Sequence, residues 1–133
     1  MFTPVRYDAG KLVDVALAVS QTIVKGDALQ WNGGYLEVGT SASADIRFVA
    51  MEDVTTTDAQ HTECLCVPVE GVEFEADCDD VVSIADLGTY CQLATKATVN
   101  PDDSTADCFY IRAMIGKTEV SKKVVGHFIH ALE

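Results

Sequence analysis

The stretch ALQWNGGYLEV, residues 28–38, holds the clearest hairpin pattern in this chain of 133 residues. Two short runs of β-prone residues flank Asn32-Gly33-Gly34, and glycine readily adopts the positive φ that a tight hairpin turn requires. The stretch therefore predicts a β-hairpin. Because the segments on either side show the same pattern of short strands and turns, the sequence predicts an all-β fold.

Short apolar runs separated by turn-forming residues continue through the rest of the chain. Before the hairpin, residues 13–24 alternate loosely and stop at Lys25-Gly26-Asp27, as expected for a strand and a turn. After the hairpin, strands are predicted over residues 46–51, 64–69, 72–76, 81–84, 87–93, 108–115 and 124–130. Residues 83–87 could hold one short turn of helix. Such short strands favour a small antiparallel β-barrel or sandwich.

The first residues of the chain differ from the rest. Residues 1–14 show neither a helical nor an alternating period, and we predict that they form an extended N-terminal arm. Residues 15–133 then form a single β domain, since single domains commonly contain about 100–150 residues.

The charge of the chain limits its partners. It carries 21 acidic and 9 basic residues, which gives a net charge of −12. This charge repels phosphate backbones and anionic lipids, so we expect no direct nucleic-acid partner and no membrane partner. It favours docking onto a basic patch of a protein partner. No apolar run reaches about 18 residues and the first residues lack a signal-peptide pattern, so we expect synthesis in a cytoplasm.

Metal-ligating residue types occur without a convincing metal-binding pattern. The five cysteines are an odd number in a chain without an export pattern, so we expect free thiols. Cys64-x-Cys66 lies near His61, but zinc sites usually have longer spacings and a second ligand pair. Asp77–Asp80 and Asp102-Asp103 lack the glycine and distal glutamate of an EF-hand loop, and we predict solvated turns there. No bound metal is expected.

Signatures of catalysis are also weak. His127 and His130 are three residues apart, which places them on opposite faces of the predicted strand. Gly116-Lys117-Thr118 has only the last letters of a phosphate-binding loop, and no G-x-S-x-G turn occurs. We therefore predict a non-enzymatic protein with no cofactor. A small trimeric β-fold nucleotide hydrolase, the enzymatic alternative, would need an acidic metal-site motif that this sequence lacks.

Six aromatic side chains raise the question of a sugar-binding platform. Each lies within an apolar strand, where burial of a large ring stabilises a fold by about 1.5–3 kcal/mol, so we predict that they belong to the core. The residues are Trp31, Tyr35, Phe48, Phe74, Phe109 and Tyr110.

Short sequence words along the chain occur in an order that resembles the decoration proteins of tailed-phage capsids, also called cement or head-stabilising proteins. The words are KGDAL (25–29), GGYL (33–36), FVAMEDV (48–54), VPV (67–69), FEA (74–76), LGTYCQL (87–93) and VVGHF (124–128). The likeness spans most of residues 12–130 and is one of layout rather than of a catalytic signature. One departure is Phe48, where the family often has a glycine.

The resemblance implies a β-tulip-like domain on the capsid exterior of a virion, made in the host cytoplasm. Its partner would be the major capsid protein, whose neighbouring subunits it would clamp, commonly as a homotrimer. We predict capsid contacts in the arm, because an extended segment can add a strand to a neighbour's sheet edge. The candidate contact residues are Phe2, Pro4, Val5, Arg6 and Tyr7.

The same β layout would also suit another virion or surface binding module, namely a tail, fibre or glycan-binding β domain. An aromatic cluster left exposed on the folded domain would favour this alternative.

Overall fold

The computed structural model describes residues 1–7, 9–57, 62–117 and 120–129. Within them the regular structure is β-strand, apart from single turns of 3-10 helix at Ala9–Lys11 and Ile84–Asp86. The predicted all-β fold class is confirmed. The strands are β1 (Phe2–Arg6), β2 (Val13–Ala16), β3 (Thr22–Ile23), β4 (Ala28–Asn32), β5 (Tyr35–Val38), β6 (Phe48–Ala50), β7 (Val54–Thr55), β8 (Glu63–Pro68), β9 (Glu73–Cys78), β10 (Tyr90–Thr95), β11 (Thr98–Asn100), β12 (Phe109–Met114) and β13 (Lys123–Phe128).

Five strands close into a β-barrel. The order around the ring is β9, β11, β10, β12 and β13, and β13 pairs back onto β9. All of these pairings are antiparallel except that of β9 with β11. β1 pairs with β9 on the edge that β13 leaves open, so β9 has three strand neighbours.

The other long sheet is also strongly curved. Its strand order is β2, β8, β6, β4 and β5. A bridge between Leu17 and Leu36 brings its two ends together, and the Ala18 N–H donates to the Leu36 carbonyl over 2.8 Å. β3 and β7 form a separate two-stranded sheet.

Two hydrophobic clusters fill these sheets. The larger cluster occupies the barrel, and four phenylalanines from four strands meet in it, namely Phe2, Phe74, Phe109 and Phe128. The smaller cluster lies inside the curved sheet. Strands β4, β6 and β8 contribute to both, because one face of each packs against the barrel cluster and the other against the smaller one. These three strands therefore lie between the two clusters and connect the curved sheet to the barrel.

The predicted hairpin is confirmed. β4 and β5 pair from Leu29 with Val38 to Asn32 with Tyr35. Gly33 and Gly34 make the turn with φ of +61° and +90°, values that residues with a side chain rarely adopt.

Several strand boundaries differ from the predictions. The predicted strand over residues 13–24 is interrupted by a turn at Ser20, whose φ is +58°. No strand forms over residues 81–84, because the Asp86 carboxylate accepts the backbone N–H of Ser83 and a turn of 3-10 helix follows. Asp77 belongs to β9 and not to an acidic turn. β11 was not predicted.

Candidate interaction surfaces

The predicted N-terminal arm is extended, but residues 2–6 are a strand of the domain itself. Phe2 is 1% exposed, and its ring lies 4.9 Å from the Phe128 ring and 5.9 Å from the Phe109 ring. The N-terminal ammonium lies 2.9 Å from an oxygen of Asp77. The Phe2 ring and the N-terminal ammonium together fix the start of β1 to the barrel.

The outer edge of β1 offers few backbone groups to a neighbouring chain. The Phe2 N–H already donates to the Gly26 carbonyl over 2.9 Å. Backbone groups two residues apart point the same way, and Pro4 has no N–H to present there. Val5, Arg6 and Tyr7 are exposed instead. Contact through β1 would therefore depend on these side chains rather than on strand addition.

The five cysteines are free and buried, as predicted for thiols that act as core residues. Burial raises the pKa of Cys78 and of Cys108 to about 12, which disfavours the nucleophilic thiolate. Cys64 differs, because a hydrogen bond with Cys66 lowers its pKa against the effect of burial. Among the described residues, no group of three or more His, Cys, Asp or Glu side chains is placed to hold a metal ion. His61 and His130 lie outside the described residues.

Carboxylates crowd one side of the barrel. Asp79, Asp80 and Asp102 are exposed, as predicted for solvated turns. Desolvation and then the carboxylates of Asp86, Asp80 and Asp79 raise the pKa of Asp102. This part of the surface therefore has a negative potential that repels anions.

A row of three aromatic side chains crosses the outside of the barrel on adjacent strands, and we call it the aromatic ladder. Its members are Tyr90 on β10, Tyr110 on β12 and His127 on β13, which are direct partners in the strand register. Ring centroids lie 5.1 Å apart between Tyr90 and Tyr110 and 5.2 Å apart between Tyr110 and His127. Tyr90 is 49% exposed.

A cavity lies at each end of the aromatic ladder. The first, of about 280 Å³, is lined by Tyr90 together with Asp86, Pro101, Asp102 and other residues of the adjacent loops. The second, of about 320 Å³, is lined by His127 together with Phe128, Glu73 and the turn before β9. The ladder and the cavities form one continuous surface across β10, β12, β13 and the start of β9.

The prediction that the aromatic residues belong to the core is only partly right. Phe74 and Phe109 are fully buried. Trp31 is 48% exposed, so for this residue the prediction is wrong. Its ring packs edge-on against Phe48 with centroids 5.4 Å apart. Tyr110, which the sequence also assigned to the core, is half-buried on the outside of the barrel, and the sequence pattern did not indicate Tyr90 or His127 as aromatic candidates.

Comparison with protein-family models, with curated proteins and with solved structures finds no match to this chain. In the part of the chain that the structure describes, no helix is long and apolar enough to cross a membrane.

Proposed function

We propose that this protein is a structural virion protein that binds the outer surface of a tailed-phage capsid. It would stabilise the head by clamping neighbouring subunits of the major capsid protein, and it would do so as a homotrimer. The proposal needs no chemical transformation, since binding to the assembled shell stabilises that shell by mass action.

The observation that carries the proposal is where the sequence words of the resemblance lie in the fold. KGDAL spans the turn into β4, GGYL the turn into β5, and FVAMEDV runs from β6 into β7. VPV ends β8, and FEA lies within β9. These five words thus fall on consecutive strands and turns from β4 to β9 of one folded unit.

The charge of the protein supports docking onto another protein rather than onto nucleic acid. A net charge of −12 favours a basic protein surface and weakens association with DNA. Such a partner is compatible with a position on the capsid exterior, away from the packaged genome.

The N-terminal strand supplies a candidate contact. Val5 and Tyr7 are each 44% exposed, and Arg6 lies exposed between them. Phe2 would anchor this patch because its ring is buried in the core, and Pro4 would leave the outer edge of β1 without an N–H. Of the five predicted contact residues, Val5, Arg6 and Tyr7 would therefore contact the capsid directly. Tyr and Arg are enriched among the residues that dominate binding energy at interfaces.

Co-sedimentation tests the proposal. Purified protein is mixed with expanded heads of a candidate phage that lack their decoration protein, and bound protein and heat stability of the heads are measured. We expect saturable binding and heads that open at a higher temperature. The molar mass in solution, from light scattering, tests the trimer.

Matched variants locate the contact. Tyr7→Glu should weaken head binding at least about tenfold, since the loss of one interface aromatic costs about 1.4 kcal/mol or more. Val120→Glu, at a site that is 72% exposed on another loop, should bind as the wild type does. Failure of the wild-type protein to sediment with any such heads would refute the capsid proposal.

A further inference from the structure

The aromatic ladder and its two cavities lie on the outside of the barrel, and the cavity at Tyr90 shares no residue with the hydrophobic clusters or with β1. We propose that this surface is a binding site for a neutral oligosaccharide, with Tyr90 as the main stacking residue. The inference does not rest on the capsid proposal. The Tyr90 end of the site lies apart from the proposed capsid contact, whereas the second cavity reaches Glu73, the register partner of Arg6.

The geometry of the ladder supports a ligand with several flat, partly apolar faces. Tyr90, Tyr110 and His127 follow one another at 5.1 and 5.2 Å, and the terminal rings each form a wall of a cavity. Aromatic side chains left on a surface in this way combine a large apolar face with a polar edge. Sugar rings present both C–H faces and hydroxyl edges, which this arrangement can contact together.

The polar groups of the first cavity fit a ligand that donates hydrogen bonds. Beside Tyr90 the cavity is lined by the carboxylates of Asp86, Asp102 and Asp103 and by the hydroxyl residues Thr89 and Ser104. Carboxylates accept up to four hydrogen bonds each, and hydroxyls both donate and accept. One oxygen of Asp86 already accepts from Ser83, and one oxygen of Asp103 accepts from Thr105. A polyhydroxylated ring can donate to Asp102 and to the other oxygens of these carboxylates without carrying a charge.

Charge excludes other ligands of similar shape. Among the described residues, no lysine or arginine lines either cavity. The nearby Arg112 is paired with Glu73, which lines the second cavity. At the first cavity, phosphorylated, sulfated or sialylated ligands would therefore meet three carboxylates with no lysine or arginine in the described lining, so this end of the site favours neutral sugars over acidic ones.

An array of neutral and acidic bacterial and eukaryotic glycans provides the first test, followed by calorimetry with the soluble oligosaccharide that binds best. We expect binding of neutral glycans and none of acidic ones. Tyr90→Ala should weaken that binding at least about tenfold, and Tyr90→Phe, which keeps the ring, should restore it. Asp102→Asn should weaken it several-fold.

Trp31→Ala is the matched control, because Trp31 is exposed to nearly the same extent as Tyr90 but lies on the curved sheet. It should leave glycan binding unchanged. The inference is overturned if no neutral glycan binds the wild-type protein, or if Tyr90→Ala binds as the wild type does. Binding of oligolysine in place of glycans would overturn it in favour of a basic protein segment. Head co-sedimentation by Tyr90→Ala should stay at the wild-type level, which separates this inference from the capsid proposal.

Discussion

Asp27 and Lys96 form an ion pair that joins the curved sheet to the barrel. The Asp27 carboxylate is 2% exposed and lies 3.0 Å from the Lys96 ammonium, which also donates to the Thr22 carbonyl over 2.9 Å. The same carboxylate accepts the N–H of Val24 over 2.8 Å. Beside it, the Ala28 N–H donates to the Lys96 carbonyl over 2.7 Å. One hairpin turn of the barrel is thereby fixed to the strand β4.

Removal of one member of this pair should destabilise the protein strongly. Asp27→Ala should lower the free energy of unfolding by about 2–3 kcal/mol, since it leaves the Val24 N–H without its acceptor and the Lys96 ammonium with only the Thr22 carbonyl. Urea unfolding measures the change. Asp45→Ala, which breaks the more exposed pair with Arg47, should cost less than about 1 kcal/mol. Equal losses in both variants would contradict a structural role of the Asp27 pair.

The N-terminal strand should contribute to stability in the isolated protein. Phe2→Ala removes a ring packed against Phe109 and Phe128, and it should cost about 3–5 kcal/mol. Val5→Ala, at an exposed site on the same strand, should change the free energy of unfolding by less than about 0.5 kcal/mol. Thermal melts of both variants measure the difference. A free arm would instead make Phe2→Ala as mild as Val5→Ala.

Close strand contact at Gly126 should make this position intolerant of any side chain. A Cβ at Gly126 would overlap the Tyr110 carbonyl oxygen and would lie 2.8 Å from the Phe109 ring. Gly126→Ala should therefore cost more than about 3 kcal/mol or prevent folding, as overpacking against backbone does. Gly33→Asn is the control, because its turn is open and asparagine tolerates a positive φ. Circular dichroism should show a native fold for Gly33→Asn only.

The buried thiols should be unreactive in the native protein. A thiol reagent such as DTNB should react with all five cysteines in denaturant but only slowly in buffer, at a rate limited by opening of the fold. Val120→Cys, on an exposed loop, should add one thiol that reacts at once. Rapid reaction of the wild-type protein would show that its interior is open.

Burial of the same thiols should make stability fall at alkaline pH. The pKa of Cys78 and of Cys108 is about 12 in the folded state, above the value of about 8.5 for an exposed thiol. The folded state therefore keeps protons that the unfolded state releases, so this contribution is complete below about pH 8.5 and is lost as pH rises toward 12. Urea midpoints measured across this pH range give the dependence of stability on pH. Cys108→Ala should make this dependence weaker.

Local signals in the sequence predicted part of this fold correctly. The hairpin at Gly33-Gly34 needs only a positive φ between two β-prone runs, and both features lie within eleven residues. The fold class follows from many such signals. Closure of the barrel needed the pairing of β9 with β13 and with β11, which depends on contacts between distant segments that no local pattern reports.

The candidate glycan site was largely hidden for the same reason. Tyr90, Tyr110 and His127 are far apart in the sequence and become neighbours only through the register of β10, β12 and β13. The sequence predicts an extended arm but not its partner strand β9, because residues 1–14 lack a periodic pattern that would predict a strand. The sequence indicates only a turn at Asp27, since its burial beside Lys96 depends on the packing of the two sheets.

The ring of the barrel has a consequence for biosynthesis. Because β13 closes the barrel by pairing with β12 on one edge and with β9 on the other, the ribosome must synthesise the chain through Phe128 before the barrel can close. Until then the nascent chain exposes the unpaired flanks of β9 and β12, which are prone to pair with other polypeptides. A delay in synthesis before β13 emerges should therefore increase aggregation in the cell. In the closed barrel, β13 pairs with these edges of β9 and β12.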